Sequence, residues 1–172
     1  MKQSFIASVI LAVSIFIAPI TVFGKSTITA EYALPYPGML PDHPLYSIKA
    51  LRDRIMDFLI VDPARKVEFS ILQADKRLVM GKALLEKGNA QLAEAVVSKG
   101  EKYMHRAVSN LLLLKTQGKI LPGDVDRLEK SLTKHAEVLE ELIVKSADPQ
   151  KAGFTGSLEF VRTLEGEVPK MK

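Results

Sequence analysis

Residues 67–103 read VEFSILQADKRLVMGKALLEKGNAQLAEAVVSKGEKY, two helical patterns hinged on Gly88-Asn89. Before the hinge, apolar or small residues recur at alternating four- and three-residue steps: Val67, Ile71, Ala74, Leu78, Gly81 and Leu85. After it the rhythm resumes with Ala93, Val96, Gly100, Tyr103, Ala107, Asn110 and Leu114. Such spacing puts each set on one face of an α-helix. Gly88 supplies a C-terminal stop and Asn89 a new N-cap, so the two helices are expected to form a tight αα-hairpin. A glycine inside a helix costs about 1 kcal/mol relative to alanine. Two of them, Gly81 and Gly100, stand on the apolar seams. Their presence predicts that the helices pack antiparallel at unusually short separation.

Working outward, Asp62-Pro63 reads as an N-cap followed by proline at the first helical position. The second helix of the hairpin extends to about Gln117 and stops at Gly118. Pro122, Gly123 and Asp124 open another helix, which continues to about Ser146 on the seam Leu121, Val125, Leu128, Leu132, His135, Leu139 and Leu142. Asp148-Pro149 and the glycines Gly153 and Gly156 are expected to break the chain before a short helical piece around residues 158–164. Upstream of the hairpin, Leu45, Ile48, Leu51, Ile55 and Leu59 recur at helical spacing, with Pro44 at the helix start and His43 or Asp42 flanking it. No strand-like alternation of useful length appears. The expected fold is all-α, an antiparallel bundle of about four helices over residues 44–147, with a flexible tail and short helix over 148–172.

A proline-rich lead-in spans residues 25–43. Pro35, Pro37, Pro41 and Pro44 fix φ and lack backbone donors, which rules out an ordinary strand or helix interior through this stretch. Tyr32 and Tyr36 within it and Tyr46 just beyond form a candidate recognition surface of the polyproline type. The favoured reading is that the segment wraps the end of the bundle, with the tyrosine rings covering apolar helix ends.

The N-terminus speaks to location. Lys2 precedes residues 5–23, which carry no charge, and Gly24 and Val22 suit the cleavage positions of a secretory signal peptide over residues 1–24. The competing reading is an uncleaved anchor, since the run approaches the roughly 20 residues that span a bilayer. Either way the remainder is expected to be extracytoplasmic: secreted, periplasmic or at the cell surface. The chain has no cysteine, which excludes a lipoprotein anchor, disulfides, thiolate zinc sites and a cysteine nucleophile. Cleavage would remove Lys2 and no acid, taking the net charge from +4 to +3. That surplus is dispersed among acids, without the basic block that nucleic-acid binding needs.

Catalytic patterns are missing. His43, His105 and His135 form no His-Glu-x-x-His motif, and Glu101 with His105 reads as an exposed helical charge pair. Ser70, Ser109 and Ser131 lie within helical patterns and in no Gly-x-Ser-x-Gly elbow, and the glycines near Phe154 lack the lysine of a phosphate loop. The carboxylates Glu137, Glu140 and Glu141 belong to a mixed-charge helix surface. No catalytic residue, cofactor or metal site is therefore expected. Two polar residues interrupt apolar seams. Asn110 is expected to set helix register, and His135 to be partly buried and hydrogen-bonded across the bundle.

The block of residues 34–49, Leu-Pro-Tyr-Pro-Gly-Met-Leu-Pro-Asp-His-Pro-Leu-Tyr-Ser-Ile-Lys, resembles the opening of a bacterial family of exported helical domains of unknown function. Leu51-Arg52-Asp53-Arg54-Ile55, Asp62-Pro63-Ala64-Arg65-Lys66-Val67-Glu68 and Ala74-Asp75-Lys76-Arg77-Leu78 continue the resemblance in order and spacing, as far as Asn110. In that family the domain follows a signal peptide or membrane segment. The resemblance implies no activity and carries over no functional residues. The expected role is a non-catalytic protein-interaction or structural module of the cell envelope, meeting an envelope protein or component, without nucleic acid. Its membrane contact, if any, would run through the N-terminal segment. The alternative is a small-ligand or metal sensor with His135 and Asn110 lining a site between helices.

Overall fold

A computed structural model describes residues 32–120 and 122–172. The segment expected to be a signal peptide, the first part of the lead-in and Leu121 lie outside the described residues. The described chain is all-helical: α1 (Tyr46–Leu59), α2 (Pro63–Glu86), α3 (Ala90–Thr116), α4 (Pro122–Lys145), α5 (Gln150–Glu165) and a closing 3-10 turn (Val168–Lys170).

The boundaries follow the capping chemistry. Asp62 accepts the Ala64 amide at 3.1 Å and Pro63 opens α2. At the hinge Gly88 takes φ +81°, a left-handed conformation glycine adopts without strain. Its amide and that of Asn89 then bond back to the carbonyls of Leu85 and Leu84, both at 2.9 Å. These two bonds form a Schellman motif. Asn89 in turn accepts the Leu92 amide at 3.3 Å and starts α3. Helix α1 begins at Tyr46, two residues after Pro44, and the His43 ring accepts the Leu45 amide at 3.2 Å just ahead of it.

The short helix separation is real. A Cβ on Gly100 would lie 3.2 Å from the Ala74 carbonyl oxygen, and one on Gly81 would lie 3.2 Å from that of Ala93 and collide with Val97 Cγ2. Each glycine thus sits on an alanine of the facing helix. The pairs 81/93 and 74/100 also establish that α2 and α3 run antiparallel.

Four helices close into a ring in the order α2, α3, α5, α4. Helix α4 runs parallel to α2, since Asp75 meets His135 and, further along, Lys82 meets Glu141. The core is the set of inward seams, with Ile71, Leu84, Met104, Leu111, Leu128, Leu132, Leu139 and Phe154 all fully enclosed. Each such side chain contributes about 1.5–3 kcal/mol by leaving water.

The bundle is four-helical, but its membership differs from the expectation. Helix α5 runs for 16 residues rather than the short piece expected, and buries Phe154, Val161 and Leu164. Its glycines do not break it. Gly153 is accommodated where the Glu94 side chain of α3 fills the space a Cβ would occupy. Helix α1, counted within the bundle by its apolar spacing, packs closely against none of the other helices. Its stripe of Ile48, Leu51, Ile55 and Leu59 is exposed, and its one buried residue is Asp53. The position it would have taken belongs to α5.

The lead-in from Tyr32 onward lies along this bundle. Leu34 and Leu40 pack against the core, and Asp42 pairs at 3.0 Å with Lys87, which caps the end of α2.

Candidate functional site

A polar network crosses the interior. Asp75 of α2 is buried, and its carboxylate accepts the Ser131 hydroxyl (2.6 Å, Oδ1) and the Tyr32 hydroxyl (2.6 Å, Oδ2). The same Oδ1 lies 3.1 Å from His135 Nε2, and both side chains are 2% exposed. Ser131 and His135 are one turn apart on α4, so helical geometry presents both to one carboxylate. Tyr32 is half-buried, and its hydroxyl is pushed up to about 12, chiefly by burial and then by its bond to Asp75. Beyond His135, buried Glu101 of α3 faces Ser157 of α5. Burial raises its carboxyl, while Ser157 and His135 oppose that rise. Its Oε1 has no hydrogen-bond partner among the described residues.

Serine, histidine and aspartate meet here, but not as a nucleophile relay. A relay needs the serine proton to pass to the imidazole, with the carboxylate behind the ring. In this protein Ser131 donates to Asp75 itself, on the oxygen His135 also approaches. What the arrangement does is tie the lead-in, α2 and α4 to a single enclosed acceptor. Among the described residues, no group of three or more His, Asp or Glu side chains is placed to hold a metal ion.

The other residues singled out in the sequence fall in different settings. Tyr36 is 82% exposed. Tyr46 is half-buried, with Lys49 Nζ 5.3 Å above its ring. Asn110 is half-buried on α3. Glu101 and His105 do not form the exposed charge pair expected of them. Glu101 points under α5, whereas His105 is exposed beside the Phe160 ring at 6.0 Å. Helix α5, not anticipated at this length, covers Glu101 with Ser157 and sets Phe160 beside His105.

Exposed large hydrophobic side chains concentrate on α1. With 3.6 residues per turn, Ile48, Leu51, Ile55, Phe58 and Leu59 share an arc of roughly 100°. All five face solvent, Phe58 at 84% exposure and Ile48 at 67%. Asp53 and Asp57 occupy the opposite side, toward the bundle. Asp57 accepts two hydrogen bonds from the Arg106 guanidinium of α3, each 2.8 Å. Arg106 in turn lies 5.3 Å from the centre of the Tyr103 ring, which Arg77 approaches to 4.3 Å. Lys99 and Lys102 join these three in lining a cleft of about 290 Å³. Helix α1 is therefore mounted on the bundle by its charged side and presents its apolar side outward.

Sequence reasoning missed Asp75, Asp57 and Arg106. Asp75 carries a signal: it stands four residues after Ile71 and three before Leu78, a core position by periodicity. Asp53 and Asp57 carry one too, being four apart on the side opposite the apolar stripe. Arg106 carries none, because its partner lies 49 residues away.

Among the described residues, no helix is long and apolar enough to cross a membrane. No curated protein and no solved structure matches the chain. A family model described as a domain of unknown function, DUF5667, matches residues 38–149, from the lead-in through α1 to α4 and up to the start of α5. With more than half of its length matched, the chain belongs to the DUF5667 family.

Proposed function

We propose that this protein is a non-catalytic contact module of the cell envelope, in which the α2–α5 bundle is a scaffold and the outward face of α1 is the contact surface. The observation that carries this reading is the inverted amphipathicity of α1. Its apolar stripe is exposed while Asp53 is buried and Asp57 is paired to Arg106. A contiguous apolar patch left in water lowers stability and promotes association, and such patches mark interaction sites. The placement in the envelope rests on the charged start and uncharged run of residues 5–23.

A photo-crosslinking residue at Ile55, compared with one at exposed Thr155 of α5, tests the assignment in intact cells. A discrete adduct to protein or to lipid from position 55 and none from 155 is the expected result. Equal yields at the two positions, or no adduct at 55, would sink it.

A further inference from the structure

The charges around the α1 stripe are arranged by sign. Arg52 and Arg54 flank it, one on each side of the apolar arc, at about 60° from the nearest stripe residue or less. Both are exposed. Just beyond the helix, Val61 is 86% exposed and the Arg65 side chain 81%. The acids of α1 are absent from this rim: Asp53 is buried with Arg52 Nη2 at 2.7 Å, and Asp57 is turned onto Arg106. The result is a convex apolar ridge bordered along the helix by cations, with exposed Asp62 just beyond its end 3.9 Å from Arg65. A helix with that profile lies in the plane of a membrane interface, its apolar side among acyl chains and its arginines at phosphate level.

Resting on the reading of α1 as the contact surface, we infer that its partner is an anionic phospholipid bilayer, with Ile48, Leu51, Ile55, Phe58 and Leu59 as the inserted face. Charge complementarity favours lipid over protein. A protein partner of mixed charge has no use for a helix that turns both of its own acids away from the ridge, whereas an anionic leaflet repels carboxylates placed there. The N-terminal sequence agrees, since residues 5–23 form an uncharged apolar run ending fewer than thirty residues before α1.

The chain contains no tryptophan, so Phe58→Trp places a lone indole fluorophore on the ridge at an exposed position. The full chain carrying this substitution is mixed with vesicles of phosphatidylcholine alone, or of equal parts phosphatidylcholine and phosphatidylglycerol. The acyl chains are brominated in parallel samples. Expected are a blue-shifted emission and bromine quenching in the mixed vesicles, with little of either in phosphatidylcholine. Adding Arg52→Glu and Arg54→Glu keeps the N-terminal run and the ridge intact, yet should raise the lipid needed for half-maximal quenching by about tenfold or more.

Equal quenching in both lipids would overturn the anionic requirement. A water-like, unquenched indole emission in every vesicle would overturn the bilayer altogether. So would a lipid-free blue shift that grows with protein concentration and accompanies a doubled mass, because a second copy then covers the ridge. Unquenched emission together with a protein adduct at position 55 in cells rejects the bilayer but keeps α1 as a contact surface. Absence of both quenching and adduct rejects the contact surface as well.

Discussion

Asp57 of α1 and Arg106 of α3 are joined by two hydrogen bonds of 2.8 Å, with the guanidinium also 5.3 Å from the centre of the Tyr103 ring. This pair is the main polar attachment of a helix that none of its neighbours packs against closely. The two side chains are 18% and 38% exposed, so water screens much of their attraction.

Breaking that attachment should act locally. Asp57→Asn removes the charge but keeps the shape, and it should lower global unfolding stability by less than about 1 kcal/mol. Amide exchange within α1 should nevertheless accelerate several-fold, while α2–α5 remain protected. A uniform acceleration across all five helices would refute the view of α1 as a separately mounted element.

Of the two seam glycines between α2 and α3, Gly81 leaves less room than Gly100. A side chain there meets Val97 Cγ2 and the Ala93 carbonyl. Valine is β-branched and stiff in a helix, so the strain passes to the backbone. Gly81→Leu should destabilise the bundle by about 1–3 kcal/mol, measured by urea denaturation. Gly81→Ala combined with Val97→Ala should be less destabilised than Gly81→Ala alone. An unchanged melting temperature for Gly81→Leu contradicts the close packing.

Asp75 accepts from Tyr32 and Ser131 and lies against His135. Asp75→Ala leaves buried polar groups without their partner and should cost about 3–5 kcal/mol. Tyr32→Phe removes one half-buried hydroxyl and should cost about 1 kcal/mol. A reversed order of the two in chemical denaturation would mean that the network is not centred on Asp75.

Glu101 makes stability depend on pH. Burial raises its carboxyl above the ordinary 4.5, so the folded state holds this proton to higher pH than the unfolded chain does. Between the two values the folded state binds more protons, and stability therefore falls as pH rises through that window. Glu101→Gln abolishes the titration while preserving size. The variant should show a flatter dependence above pH 4.5 and a higher melting temperature at neutral pH than the parent. Identical pH slopes for the two proteins would exclude Glu101 as their source.

The legible parts of the fold are those set by neighbours in the chain. The Schellman turn at Gly88, the caps at Asp62 and Asn89, and the glycine seams of α2 and α3 depend on residues a few positions apart. His135 was visible for a related reason: a polar residue on a leucine seam has to meet a partner. The partner was not visible, because Asp75 lies 60 residues away.

By itself, then, the sequence determined the all-α class, the hairpin and its close antiparallel contact, since helical periodicity, capping and glycine placement are local properties. It could not say which amphipathic helices share the core. Helices α1 and α5 both carry an apolar stripe, and the stripes alone do not rank them. Only the tertiary structure seats α5 against α3 and α4 and turns α1 around, binding it through Asp57 to Arg106 with Phe58 in solvent. The physical reason is that four seams already close the core of this bundle. The remaining helix is held by Asp57 and by Tyr46, which packs against the core, and its apolar stripe faces outward.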